Sequence, residues 1–522
     1  MPPRRPRLGT GRRRAWTLLW VVLAALSPAL AGAQTAQMRL SFTLPKETLA
    51  ARARQVPVDG GLRVAGVPLA ERQVALTLER FELFTPDAVV VVHENGSKVT
   101  THAVPNRTFF RGGVEGDPSS TAFLSVGEAG DVRGLVIADG ATYVLGAADA
   151  ALAGEPLIAK AAADAAPDAR GFECDADALP VPATALDELG AGAEAAPFEP
   201  AAPGDKAAAL YSITVAIETD VELFNRFGSV DTMAAYIGDL MGAMSAIYYR
   251  DVNTTLRVNL VSAWTGATTS DPWTATSPST ALCELGTWWH TNRPTFPRGT
   301  VHFLSGKSTT AGIAWIGVLC SADFSAGGTC AAGQWGGGYG VTMGISGTFN
   351  PANPNAVNWD LLGATHEIGH NFNSPHTHCY NVLFGAGQEV DRCSSGEQMS
   401  VNGTLQACYS GATCVPSLGT ANCGVQGQGN GTIMSYCHNI APSFMSNTSL
   451  TFGATAAGVP HPYGNQPNRV SARMNAFVAG LSTTCHRRRN APAGDFNGDG
   501  RAEVWVYRGA GAWIEFPLWP GD

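Results

Sequence analysis

Between Met38 and about Gly146 the apolar residues gather in short runs, among them Met38–Leu44, Val74–Phe84 and Ala88–Val92, closed by Gly, Pro or Asn turns. Runs of that length with that punctuation predict strands, and so a β-rich unit over 34–146. From 147 to 206 the pattern dissolves into Ala, Pro, Gly, Asp and Glu, the composition of a linker. Order returns at Tyr211–Ile217, which alternates as a strand. Within Thr232–Tyr249, Ile237, Met241, Met244 and Tyr248 keep helical spacing, and Leu256–Val261 reads as a second strand. Strand, helix, strand predicts a parallel sheet with a right-handed crossover. Val301–Leu304 and Gly312–Cys320 read as further strands, and Met343 with the glycines from Gly336 to Gly347 as another with its loops. A helix is predicted from about Trp359 to Phe372, with Leu362, Ile368 and Phe372 toward the core, and a last one over Arg469–Leu481. The expected fold is α/β (α+β): a mostly parallel twisted sheet and its helices over 207–486, with the β-rich unit ahead.

At 522 residues the chain exceeds a single core, and 45% apolar with 15% charged residues describes a globular protein. Residues 1–33 change the picture. Six arginines from Arg4 to Arg14 precede an apolar run, Ala15–Leu30, and Ala31-Gly32-Ala33 offers small residues for cleavage. The run is short for a membrane span and contains Pro28, which favours a signal peptide over an anchor, hence a secreted protein with no membrane attachment after its removal. Loss of the six arginines moves the formal net charge from −9 to −15. An acidic surface of that kind argues against nucleic acid as a partner.

The chemistry lies in Thr365–His376. Two histidines four apart on a helix, His366 and His370, lie on one face about 6 Å apart along the axis, so both rings can reach one metal ion. Glu367 sits beside the first, where a carboxylate can hold a water without binding the metal. Taken alone, the five residues also fit two ordinary helix histidines. His376, six residues beyond His370 and after a break, adds a third ligand and leaves a fourth position open, the arrangement of a catalytic zinc.

These residues resemble the signature of the metzincin metallopeptidases, His-Glu-x-x-His-x-x-Gly-x-x-His, and Gly431–Cys437 resembles the methionine turn that follows it. The resemblance is to the reprolysin (adamalysin-like) branch in an exported, Ala- and Gly-rich protein of bacterial composition. Phe110–Ser120 and Arg133–Ile137 with Tyr143 resemble the propeptide of that branch. The resemblance implies Zn2+ held by His366, His370 and His376, Glu367 as general base, Met434 packed beneath the metal, and protein or peptide substrates cut by a monomer. It implies that Gly312–Cys320 is the sheet edge that pairs with substrate. Tyr436, two residues after Met434, matches the Met-x-Tyr arrangement in which the phenol supports the oxyanion; a structural tyrosine is the other reading. Two positions depart. Thr377 follows the third histidine where reprolysins carry aspartate, and Asn373 replaces the glycine of the turn. Asparagine accepts the left-handed conformation better than other non-glycine residues, so glycine there is expected to preserve or raise stability. A catalytically silent adhesion or matrix-binding protein on the same scaffold is the rival function, which the intact His-Glu-His-His set disfavours.

Of eleven cysteines, ten lie between Cys283 and Cys485, enough for five disulfides in an exported protein. His378 with Cys379 offers a second metal site as the less favoured alternative. Cys174 is left over. It resembles the cysteine switch of metzincin zymogens, a thiolate that takes the fourth zinc position; an incidental free thiol is the alternative. Beyond the last helix, Asp495, Asn497, Asp499 and Glu503 alternate around glycines as calcium loops do, and 487–522 resembles one FG-GAP or VCBS repeat or a plain tail, with Ca2+ a possible ligand.

Overall fold

The computed structural model describes residues 41–42, 51–147, 157–161, 171–180, 211–415, 430–454 and 466–488, with interruptions of one or two residues, and two strands at 503–508 and 512–517. The signal segment expected at 1–33 lies outside them. The described N-terminal strands are β1 (Ser41–Phe42), β2 (Gly61–Leu69), β3 (Arg72–Phe81), β4 (Phe84–Glu94), β5 (Lys98–Ala103), β6 (Arg107–Val114), β7 (Thr121–Gly127), β8 (Val132–Ala138), β9 (Ala141–Ala147) and β10 (Leu157–Ala161). Eight of them form an antiparallel sheet in the order β1-β10-β9-β8-β7-β6-β3-β2. β10 falls inside the expected linker and pairs antiparallel with β9, so bulk composition concealed a strand.

Adjacent residues on these strands bury into different cores. Phe110, Leu124, Val136 and Leu145 line a core within the sheet's own curl, with Leu62, Leu76 and Leu78. Phe109, Phe123, Leu135 and Val144, one position away on the same strands, point into the main core of the molecule. Burial on both faces is why these strands read as apolar runs rather than as clean alternation.

The second sheet carries β11 (Glu173–Cys174), β12 (Tyr211–Thr219), β13 (Thr254–Thr265), β14 (Thr300–Leu304), β15 (Ala311–Ala314) and β18 (Tyr339–Thr342), beside a small hairpin of β16 (Phe324–Ser325) and β17 (Trp335–Gly336). Its order is β11-β15-β18-β14-β12-β13-β4-β5, with Arg487–Arg488 also pairing to β12. The strands β18, β14, β12, β13 and β4 are mutually parallel, and β15 is antiparallel to β18. The hairpin β4–β5 therefore leaves the N-terminal unit to complete this sheet, where the sequence predicted two separate units. The expected strand Gly312–Cys320 ends at Ala314. Beyond it Gly317 N donates to His370 O (2.9 Å) and Val318 N to Asn371 O (3.2 Å), so the chain leaves the sheet to satisfy carbonyls at a helix end.

Six helices matter here: α1 (Val221–Phe227), α2 (Val230–Val252), α3 (Pro278–Asn292), α4 (Pro354–Asn371), α5 (Tyr380–Phe384) and α6 (Asn468–Gly480). α2 is tied to α4 by Tyr236, whose hydroxyl donates to Asp360 (2.5 Å), and by Tyr248, which donates to Thr365 O (2.9 Å). Disulfides join Cys283–Cys330, Cys320–Cys485, Cys379–Cys408 and Cys393–Cys437, and Cys414 is disulfide-bonded as well. Among the described residues no helix is long and apolar enough to cross a membrane.

One buried acid sits at the heart of the second sheet. Glu218 on β12 accepts from the indole N–H groups of Trp264 (2.7 Å) and Trp289 (3.1 Å). Burial, which these bonds only partly offset, raises its pKa to about 7. A carboxyl raised in the folded state favours folding below its unfolded value, and that advantage is lost as pH rises through about 7. Stability should therefore fall between pH 5 and 8 by on the order of 3 kcal/mol from this group alone. Denaturant unfolding of Glu218→Gln across that range should give a flatter profile; an unaltered slope would mean that Glu218 does not titrate there.

Candidate metal centre

α4 starts three turns before its histidines because Asn353 caps it, accepting from Ala356 N (3.4 Å), with Pro354 at the first position. It stops at Asn373, whose φ of 70° is left-handed. Asn373 N donates to His370 O (2.8 Å) and Ser374 N to Gly369 O (3.2 Å), the paired bonds of a Schellman ending. The turn sends the chain back so that Ser374 O accepts from His370 Nδ1 (2.7 Å) and His376 returns beside the helix.

The three imidazoles converge. His366 Nε2 lies 3.1 Å from His376 Nε2 and 3.2 Å from His370 Nε2. Each opposite nitrogen faces an acceptor: Ile433 O for His366 (2.7 Å), Ser374 O for His370 (2.7 Å) and Asp177 Oδ2 for His376 (2.9 Å). With the protons on Nδ1, three lone pairs point at one spot, which no hydrogen bond among them satisfies. A tetrahedral ion with bonds of about 2.0–2.1 Å separates its nitrogens by roughly 3.3 Å, close to what is observed. Burial holds His366 well below its ordinary pKa and His370 at about 3, leaving both neutral as ligands must be. Burial opposes charge on His376 too, but Asp177 outweighs it and raises that pKa.

The fourth side is filled by Cys174. Its Sγ lies 3.4 Å from His370 Nε2 and 3.5 Å from Glu367 Oε2, and all four donor atoms fall within 4.8 Å of one another. Burial pushes the Cys174 thiol up, with the Glu367 carboxylate adding to the rise, and burial likewise raises Glu367. Two acids disfavoured as anions side by side, with Glu367 Oε1 buried and unpartnered among the described residues, fit a cation between the imidazoles. The donor set of three nitrogens and one sulfur suits zinc.

β11 holds Cys174 in place by pairing parallel to β15, Cys174 opposite Gly312. Tyr436 grips the same residue: Cys174 N donates to its hydroxyl (2.9 Å), and that hydroxyl donates to Cys174 O. Met434 packs against α4, where a Cβ at Gly369 would stand 2.6 Å from its Sδ, so only glycine admits the thioether there. Thr377 N and Oγ1 both donate to Met434 O (3.1 Å each), joining the residue after the third histidine to this turn.

Thus Cys174, His366, Glu367, His370, His376, Met434 and Tyr436, spread over 262 residues of sequence, come together. Asp495, Asn497 and Asp499 lie outside the described residues, and Glu503 opens a strand, Glu503–Arg508, paired with Ala512–Pro517. Cys379 is committed to its disulfide, which removes the thiolate from the alternative site with His378. Two carboxylates escaped the sequence reading. Asp177 and Glu397 both face His376 Nδ1, at 2.9 and 3.3 Å, and Glu397 also accepts from His378 Nε2 (2.8 Å). Asp177 lies only three residues after Cys174, a signal available in the sequence; Glu397, inside the long segment before Met434, had none.

Residues 209–449 match the family model Reprolysin_5, metallo-peptidase family M12. Among solved structures, metalloproteinase-II from Bacteroides fragilis aligns at 10% identity over 65% of this chain and 89% of its own, with a TM-score of 0.31. A chaperone–substrate complex aligns at 12% identity over 52% of this chain and 36% of its own, with a TM-score of 0.24. Scores this low carry no argument about fold or function. No curated protein matches the chain.

The turn at Asn373 carries a contact that argues against the expectation for glycine. Arg473 on α6 donates to Asn373 Oδ1 (2.8 Å), a charge-assisted bond that glycine lacks. Asn373→Gly should lower stability by about 1 kcal/mol, the lost bond exceeding the strain relieved, and Asn373→Ala should cost more because it keeps the strain and loses the bond. Thermal unfolding and chelator resistance of the zinc-loaded protein check the order; glycine equal to or above asparagine would show that the Arg473 contact contributes nothing.

Proposed function

We propose that the protein, whose residues 209–449 match the model of metallo-peptidase family M12, is a secreted zinc-dependent endopeptidase, made as a zymogen, that hydrolyses peptide bonds within proteins. The observation that carries this is the convergence of three outward-held imidazoles on one point beside the buried Glu367 carboxylate. His366, His370 and His376 would hold zinc, which when bound polarises a carbonyl and lowers the pKa of water toward about 7. Glu367 takes the proton of the attacking water at its carboxylate and returns it to the leaving amine. Tyr436, whose ring centroid lies 4.5 Å from that of His376, donates its phenol to the developing oxyanion once Cys174 no longer occupies it.

Substrate binding follows from the edge of the second sheet. β15 offers its outer backbone groups to β11 in this state. A substrate strand takes that edge when the Cys174 segment leaves, bound chiefly through main chain. The disulfides and the absence, among the described residues, of a membrane-crossing helix are compatible with an extracellular protein. Cys174 acts as the latch: buried at the donor cluster and held by Tyr436 on both backbone sides, it excludes water and substrate together.

Glu367→Ala should retain zinc but lose casein cleavage by about 10²–10⁴-fold, the range for a general base. Equal cleavage by both proteins would sink the mechanism. Cys174→Ala should give an uncut precursor at least about tenfold more active on a short peptide than the uncut wild type; silence equal to the wild type would remove Cys174 as the latch.

A further inference from the structure

The region ahead of Tyr211 meets the rest of the molecule in two different ways. The Cys174 segment enters the cleft with one short strand and buries Phe172, Cys174, Ala176 and Leu179 there, whereas the body of strands before it lies along α2 and β13. β13 has twelve residues, and the edge turned away from β12 pairs with β4 from Val258 to Thr265. Val258 N also donates to Leu83 O (2.8 Å), Asn95 N to Thr265 O (3.1 Å), and Arg257 Nη2 to Phe84 O (2.8 Å). Without β4 and β5, β13 would be a long bare edge, a form that folded proteins avoid.

The face of α2 carries the same message. Phe84, Phe109 and Phe123 lie over its Gly238 and Gly242, and a Cβ at Gly242 would come within 2.6 Å of the Phe123 ring. Between these glycines is Asp239, fully buried. The cations beside it come from the N-terminal strands: Arg133 Nη1 at 2.7 Å and Arg107 Nε at 2.9 Å, with Ser125 donating as well. Arg111, also buried, donates to Thr255 Oγ1 on β13 (2.9 Å) and stacks 3.5 Å above the Tyr249 ring. Removing this body would strip the Asp239 carboxylate of its two arginine partners and expose the aromatic seat around it.

We infer that the N-terminal body, residues 51–161, is a permanent subunit of the peptidase that stays bound after maturation, and that freeing the Cys174 segment takes two cuts. This rests on the zymogen reading above. Each cut is hydrolysis of one peptide bond by water, leaving a carboxylate and an amine. A cut within 181–210 alone leaves Cys174 attached to a body that does not depart, at an effective concentration on the order of millimolar, so the cleft stays closed. A second cut within 162–170 leaves the segment held by its own contacts alone, without the tether that returns it to the cleft. The surface of α2 and β13 is thus an interface within the mature enzyme rather than a face exposed by activation.

The test is the full chain with recognition sequences for two foreign proteases, one within 181–210 and one within 162–170, prepared as wild type and as Glu367→Gln to prevent self-cleavage. After the downstream cut, the two fragments of Glu367→Gln should co-elute on a native sizing column at the volume of the uncut protein. Separation of the fragments there overturns the inference. In the wild-type background, peptide hydrolysis should stay at the uncut level after the downstream cut and rise at least tenfold after both; full activity after the downstream cut alone removes the two-cut requirement. Asp239→Ala should let the cut fragments separate at lower urea than those with Asp239 intact, and an identical urea dependence counts against the buried ion cluster as the fastening. Co-elution with no hydrolysis in any state would leave the subunit standing and remove the peptidase reading, whereas separation with full hydrolysis would do the reverse.

Discussion

Three imidazoles whose Nε2 atoms converge, that of His366 3.1 Å from His376 and 3.2 Å from His370, are held there only if each ring's other nitrogen is fastened. The fasteners come from three separate places: Ile433 O in the loop before Met434, Ser374 O in the turn after α4, and Asp177 in the segment of Cys174. The centre is thus a point on which distant parts of the chain must agree. This explains why the turn at Asn373 is fixed from α6 by Arg473 and why Thr377 is bonded to Met434 O. Small errors in any of these would rotate a ring and spoil the convergence.

The same demand for fixed placement runs through α2. It lies against α4 through Tyr236 and Tyr248, and on its other side it receives the phenylalanines and arginines of the N-terminal strands. The helix that steadies the metal helix is therefore itself steadied by residues far upstream. The Cys174 segment adds a short strand, polar contacts to Tyr436 and His376, and the buried side chains of Phe172 and Leu179.

Much of the site was legible. The spacing of His366, Glu367, His370 and His376 follows from helical period and one turn, and the left-handed Asn373 follows from the few residues that tolerate that conformation. α2, α4 and α6 were legible because their apolar period is sustained, whereas α3 was not read at all. The edge strand was read too long: Gly312–Cys320 is apolar throughout, but its second half serves the end of α4 instead of the sheet, and hydropathy does not separate the two uses. Of the hairpin β4–β5, Ala88–Val92 was read as a strand, yet nothing in its pattern states which sheet it joins.

By itself, then, the sequence determined what is periodic and short-range: the spacing of the three histidines, the carboxylate beside the first, the turn and three of the helices. Tertiary structure alone decided which carboxylates stand behind His376 and which strands complete the second sheet. Asp177 and His376 are 199 residues apart, and β4 and β13 are separated by more than a hundred. Partnerships at that distance are selected by the shape and polarity of the folded surroundings, and they leave no period in the chain from which to read them.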